Sequence, residues 1–154
     1  NAAINRQLVQ QASEFLELGP DNRVLDLFCG LGNFTLALAR QAREVVGVEG
    51  DASLVEWARR NAALNGVANA SFYAADLAGD LAGQPWIQGG YDRVLLDPPR
   101  SGALEMMPQI AALGAQRVVY VSCHPATLAR DVGELVHRFG YRLERAAPGA
   151  GVRS

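Results

Sequence analysis

The sequence predicts a doubly wound α/β sheet, mostly parallel, with helices on both faces. Three observations carry this. Five short runs rich in Val, Leu and aromatic residues are too short for helices; amphipathic stretches at helical spacing lie between them; and the Gly and Pro residues are spread along the chain, so no low-complexity linker divides it. Strands that alternate with helices and are apolar on both faces belong to a parallel sheet covered on both sides. The chain has 154 residues, 49% of them apolar and 19% charged, which suits one folded domain over residues 1–154.

Ile4, Leu8, Val9, Ala12, Phe15 and Leu16 recur at helical spacing, and Gly19-Pro20-Asp21 ends that helix. The first strand is expected over Arg23–Phe28, with a helix starting at the glycines that follow it. The second strand is Val45–Glu49; Leu54, Val55, Ala58 and Ala62 then mark a helix stopping at Asn65-Gly66. Strands three and four are Ala70–Tyr73 and Asp92–Leu96. Pro108 interrupts the segment at Leu104–Leu113, so its helix starts near Met107. Strand five is Arg117–Ser122. Leu128, Val132, Leu135, Val136 and Phe139 stripe a helix that begins behind Pro125. The sheet is expected in the order 3-2-1-4-5, followed by an incomplete C-terminal hairpin whose closing strand lies beyond Ser154.

Charge and cysteine usage exclude several functions. Sixteen carboxylates outnumber fourteen cations, all of them Arg, for a net charge of −2. A free-standing nucleic-acid binder carries a clear positive excess, so this domain alone is expected to bind RNA or DNA weakly. Two cysteines without a CxxC pair, and two histidines, make neither a disulfide framework nor a typical zinc site. No apolar run approaches the ~18–20 residues that span a bilayer, so no membrane association is expected. The chain opens on Asn1 without a leader, which points to a cytoplasmic piece of a longer protein.

In such a sheet, ligands bind beyond the carboxyl ends of the strands where the strand order reverses. There the sequence places Asp26-Leu27-Phe28-Cys29-Gly30-Leu31-Gly32-Asn33, whose Gly30 and Gly32 let backbone approach a ligand. Glu49 ends the second strand, where a carboxylate can accept from both ribose hydroxyls. Together these imply a nucleoside cofactor. Thr35 stands where the pyrophosphate fingerprint needs glycine, and no GxxxxGK[ST] is present, which disfavours NAD and ATP. S-adenosylmethionine lacks phosphate, and its sulfonium and amino acid ends suit nearby carboxylates such as Asp26 and Asp97. Asp76, just after the third strand, is placed to accept from an adenine amino group. Taken singly, Asp26, Glu49 and Asp76 each also fit a helix cap or a solvated strand end.

Strand four runs into Asp97-Pro98-Pro99-Arg100-Ser101-Gly102 and strand five into Ser122-Cys123-His124-Pro125. With DLFCGLGNFTLAL at Asp26–Leu38, VGVEG at Val46–Gly50, LLDPPRSG at Leu95–Gly102 and VYVSCHPATLARD at Val119–Asp131, the chain resembles the bacterial RNA uracil-5-methyltransferases, most of all their 23S ribosomal RNA branch. The resemblance spans essentially the whole chain as that family's catalytic domain. It implies a Rossmann-like class I S-adenosylmethionine-dependent methyltransferase fold, and cofactor contacts from Phe28, Asn33, Glu49, Asp76 and Asp97. It also implies covalent catalysis by Cys123. Carbon 5 of uracil is a poor nucleophile, so a thiolate first adds to carbon 6 and raises electron density at carbon 5, which takes the methyl. A thiolate ahead of a helix N-terminus is favoured by the unpaired N–H groups there. Cys29, in the cofactor loop, is expected to be chemically idle. Arg100 and Arg130 are expected to meet RNA phosphate or hold Asp131, with a plain surface role open for both; His137 lies off the apolar stripe and is expected in solvent.

The chain departs from the family at several points. The family has Asn where this chain has His124, and a general-base Glu after the sixth strand, whereas here Arg142–Arg145 leads into Pro148-Gly149-Ala150-Gly151. The family also has a Gln two positions before the Asn matching Asn1, an N-terminal RNA-binding domain and, in the ribosomal branch, a cysteine-ligated iron–sulfur cluster. The expectation is a catalytic-domain fragment, inactive or nearly so alone, whose parent methylates one uridine of 23S ribosomal RNA reached through the other domains, with no protein partner. A tRNA uridine or another substrate, and a non-catalytic S-adenosylmethionine-binding scaffold, stay open beside it. Amino-group enzymes put an aromatic residue where Arg100 stands.

Overall fold

The computed structural model describes residues 2–145 and 149–154, with side chains from Arg6 onward. Asn1, the stripe residue Ile4 as a side chain, and Pro148 lie outside the described residues. The chain runs α1 (Ala2–Leu16), β1 (Arg23–Leu27), α2 (Asn33–Ala39), β2 (Glu44–Glu49), α3 (Ala52–Leu64), β3 (Ala70–Ala74), β4 (Arg93–Leu96), α4 (Met107–Ala112), β5 (Arg117–Tyr120), α5 (Pro125–His137), β6 (Arg142–Arg145) and β7 (Ala150–Arg153).

All seven strands form one sheet in the order β3-β2-β1-β4-β5-β7-β6. The first five are parallel. Strand order reverses between β1 and β4, so the carboxyl ends of these two strands open the crevice in which such sheets bind ligands. Period-two alternation sorts the core. Leu25, Leu27, Val46, Val48, Val94, Leu96, Val118 and Tyr120 face Met106, Met107, Ile110, Val132 and Leu135, on the side of α4 and α5. Their neighbours Val24, Val45, Leu95 and Val119 face Ala12, Phe15, Leu16 and Leu38 of α1 and α2. Val55, Ala58 and Ala62 seat α3 on Phe72.

Two expectations need correction, the final hairpin and the end of β5, and the β3-to-β4 crossover adds a feature of its own. The final hairpin is complete within this chain: β7 pairs antiparallel with β5 from Arg117↔Arg153 to Tyr120↔Ala150, and β6 pairs with β7. A strand of Ala-Gly-Val-Arg fits because a larger residue at Gly151 would collide with the Phe15 ring of α1. The β3-to-β4 crossover holds no α-helix, only a 3-10 turn at Pro85–Ile87; Gly79, Gly83, Pro85, Gly89 and Gly90 break any longer one. Strand β5 stops at Tyr120, two residues before the expected end, leaving Val121–His124 as a connecting turn. All four residues of β6 are exposed on the sheet's outer edge.

Candidate functional site

The parallel ladder continues one step beyond the strands. The N–H of Cys29 donates to Val48 O (3.1 Å), Ala75 N–H to Glu49 O (3.1 Å), Asp97 N–H to Leu27 O (3.2 Å) and Val121 N–H to Leu96 O (2.8 Å). Four loops therefore leave the sheet side by side. At the carboxyl ends of β1 to β4 lies a cleft of about 430 Å³ lined by Phe28, Glu49, Gly50, Asp76–Ala78 and Asp97–Pro99. It brings together Phe28, Glu49, Asp76 and Asp97, four residues singled out from sequence. Asn33, the first residue of α2, instead lines a groove shared with α1.

Glu49 is held from two sides. Its Oε1 accepts from Gly30 N–H (3.2 Å) and its Oε2 from Asp51 N–H (2.9 Å). Each oxygen keeps a free lone pair, so the carboxylate is pre-aimed to accept two hydroxyls. Asp51 also caps α3, accepting from Ser53 N–H at 2.9 Å. Asp76 turns back on its own loop through Ala78 N–H (3.0 Å), an Asx turn that leaves the side chain exposed at the cleft mouth. Asp97 stands exposed on the opposite rim, yet the protein packed behind it pushes its carboxyl above the ordinary range.

The glycine loop divides its labour. Gly30 has φ +56°, and a side chain there would point into open space, as a residue beside a ligand requires. Gly32 has φ +85°, and a Cβ there would come within 2.9 Å of the Phe72 ring and 3.2 Å of Ala58. Its glycine is demanded by packing of the loop on α3. Phe28, which also lines the cleft, holds a positive φ of 61°, a strain of about 1–3 kcal/mol that clusters at functional sites.

Asp26 lies beneath this loop, not in the cleft. It is 1% exposed, and Oδ2 accepts from Thr35 Oγ1 at 2.6 Å. Burial raises its pKa from an ordinary 3.8 to about 7, with the Thr35 hydrogen bond opposing and the Asp97 charge adding. Asp26 is thus a carboxylate near the loop that does not line the cleft. Cys29 is partly buried, and burial, followed by the charges of Asp26 and Glu49, pushes its thiol far up, so it stays protonated and idle.

Cys123 is exposed, in the turn between β5 and α5. Ser122 Oγ accepts from His124 N–H (3.0 Å), and His124 is the N-cap of α5, with Pro125 at its start. Arg130 pairs with Asp131 at 2.9 Å, while Arg100 and His137 are exposed. The groups sequence reasoning passed over are Thr35, Tyr120 and Ala103; their partners lie 9 to 28 residues away, and although Thr35 and Tyr120 stood within quoted motifs as hydroxyls able to donate, nothing local named their acceptors.

A Rossmann-like sheet with its cleft at the reversal point, an acidic residue ending β2 and a glycine loop after β1 mark a doubly wound ligand-binding domain. Residues 18–130 match the family model described as a methyltransferase domain, and the chain belongs to that family. Its curated relatives are proteins named "23S rRNA (uracil(1939)-C(5))-methyltransferase RlmD". The one from Alkalilimnicola ehrlichii is 66% identical over 95% of this chain and 33% of its own length; that from Aeromonas hydrophila is 59% identical over 94% and 33%. The chain thus spans about a third of the length of these relatives. Among solved structures, the Pyrococcus abyssi tRNA (uracil-54, C5)-methyltransferase in complex with S-adenosyl-L-homocysteine is 32% identical, with a TM-score of 0.70 over 90% of this chain and 33% of that one. These relatives agree with the family resemblance drawn from the motifs.

Proposed function

We propose that this chain is the cofactor-binding and nucleophile-bearing part of an RNA uracil-5-methyltransferase acting on a uridine of 23S ribosomal RNA in the bacterial cytoplasm. The observation that carries this reading is the placement of an exposed Cys123, one residue before the cap of α5, on the loop next to a cleft that gathers Phe28, Glu49, Asp76 and Asp97. The relatives' names supply the substrate class.

The residues present fit S-adenosylmethionine. Glu49 has lone pairs left for the two ribose hydroxyls, Phe28 and Pro98 would offer apolar walls, Asp76 would accept from the adenine amino group, and Asp97 would answer the positive end. Gly30 keeps the loop clear of side chains. When bound, the cofactor supplies an electrophilic methyl carbon on a sulfonium. Cys123 adds through its sulfur to carbon 6 of uracil. The ring's electron pair then becomes available at carbon 5, the atom that takes the methyl.

The test uses a ribosomal RNA stem-loop carrying 5-fluorouridine. After methylation, carbon 5 of that ring holds fluorine and methyl and no hydrogen, so the Cys123–carbon 6 bond has no proton loss to release it. With S-adenosylmethionine the chain is expected to form an RNA adduct that survives denaturing gel electrophoresis and maps to Cys123. An adduct formed equally by Cys123→Ala overturns the nucleophile assignment, and an adduct that maps to another residue of the unaltered chain overturns it as well.

A further inference from the structure

Asp131, in the second turn of α5, is completely buried, an unfavourable place for a carboxylate unless every oxygen is engaged. Its Oδ2 accepts from the backbone N–H of Ala103 at 2.8 Å and from the Tyr120 hydroxyl at 2.5 Å; its Oδ1 accepts from Arg130 Nε at 2.9 Å. Burial and the neighbouring Asp131 carboxylate hold the Tyr120 hydroxyl well above its ordinary range, so it remains a donor. These three contacts join three separate pieces of chain: the end of the loop that starts at Asp97, the last residue of β5, and α5 itself.

Two further bonds cross the same seam. Arg130 donates to Ser101 O at 2.9 Å and Thr127 Oγ1 to Arg100 O at 3.3 Å. Gly102, with φ +82°, lets the loop come this close, since a Cβ there would overlap Thr127, Asp131 and Arg130. Asp97 and Cys123 are thus the outer ends of two segments whose inner ends are fastened at one carboxylate. An apolar residue at 131 could brace the helix but could not accept three donors from three directions.

We propose that Asp131 is a positioning residue, a latch that makes the Asp97–Ala103 loop and the turn bearing Cys123 move as one body. The proposal rests on the methyl-transfer reading: Asp97 belongs to the cofactor side and Cys123 to the acceptor side, and the latch sets one against the other. It acts on neither reactant directly.

The experiment is amide hydrogen exchange on the chain, with and without S-adenosylhomocysteine, comparing the unaltered protein with Asp131→Asn and the milder Tyr120→Phe. In the unaltered protein the ligand is expected to slow exchange at least threefold in both residues 97–103 and residues 121–128. In Asp131→Asn, protection of 97–103 persists and that of 121–128 disappears, while β1 and β2 exchange as before and report an intact fold. Tyr120→Phe gives a partial loss in the same segment and carries the test if Asp131→Asn does not fold. Full protection of 121–128 in the variants overturns the latch. If the ligand protects neither segment of the unaltered protein, the cofactor reading fails instead. The latch then stands or falls on the ligand-free chain, where Asp131→Asn must speed exchange at Ala103 at least threefold.

Discussion

Replacing Asp26 by an asparagine isolates the cost of a carboxylate beneath the glycine loop. In the folded chain Asp26 titrates at about 7, against an ordinary 3.8. From about pH 4 to pH 7 the folded state therefore holds a proton that the unfolded state has released. Stability falls as pH rises through this window and levels off above it. Between pH 5 and pH 8 the loss works out to roughly 2–3 kcal/mol from this one group, taking 1.36 kcal/mol per unit. The Asp26→Asn side chain would keep the shape, and its amide oxygen would still accept from Thr35 Oγ1, while nothing at that position titrates. Urea denaturation at pH 5, 6, 7 and 8 should show the variant gaining on the unaltered chain by that amount as pH rises. Carboxylates other than Asp97, whose charge acts on Asp26, behave alike in both proteins and cancel. Parallel stability profiles would refute the buried, proton-holding Asp26.

Two more expectations follow from the loop. Gly32→Ala should cost roughly 2–4 kcal/mol through its positive φ and the clash with Phe72, whereas Gly30→Ala should cost about 1 kcal/mol, φ strain alone; denaturation midpoints reading the same for both would contradict this division. Iodoacetamide at pH 8 should label Cys123 and spare Cys29, and peptide mapping that finds Cys29 modified at a comparable rate would contradict its burial.

Four of the five parallel strands were legible because burial on both faces turns them into nearly continuous apolar runs, as in Val24–Leu27 and Val94–Leu96, while β3, with only Phe72 buried, was legible from its aromatic residues. The strand Ala150–Arg153 was not, since its small residues look like a tail until Phe15 is seen packed on Gly151. Likewise a carboxylate at a strand end signals a ligand equally whether it faces the cleft, as Glu49 does, or the interior, as Asp26 does. The distinction rests on Thr35, which reaches Asp26 only once α2 has folded over it. The Asp131 contacts join residues 11 and 28 positions apart, and no local pattern encodes them.

The outer strand β6 bears on how copies of the chain behave together. Its edge offers unpaired N–H and C=O groups to solvent, the template on which sheets of separate molecules join. Of its four residues only Leu143 is apolar, and Glu144 is already occupied by Arg117 and Arg153. Antiparallel pairing of two such edges would set Arg142 against Arg145, and parallel pairing would set each arginine against its twin. Like charges placed opposite one another disfavour the ladder. The edge thus discourages fibre-like stacking through repulsion between its own arginines.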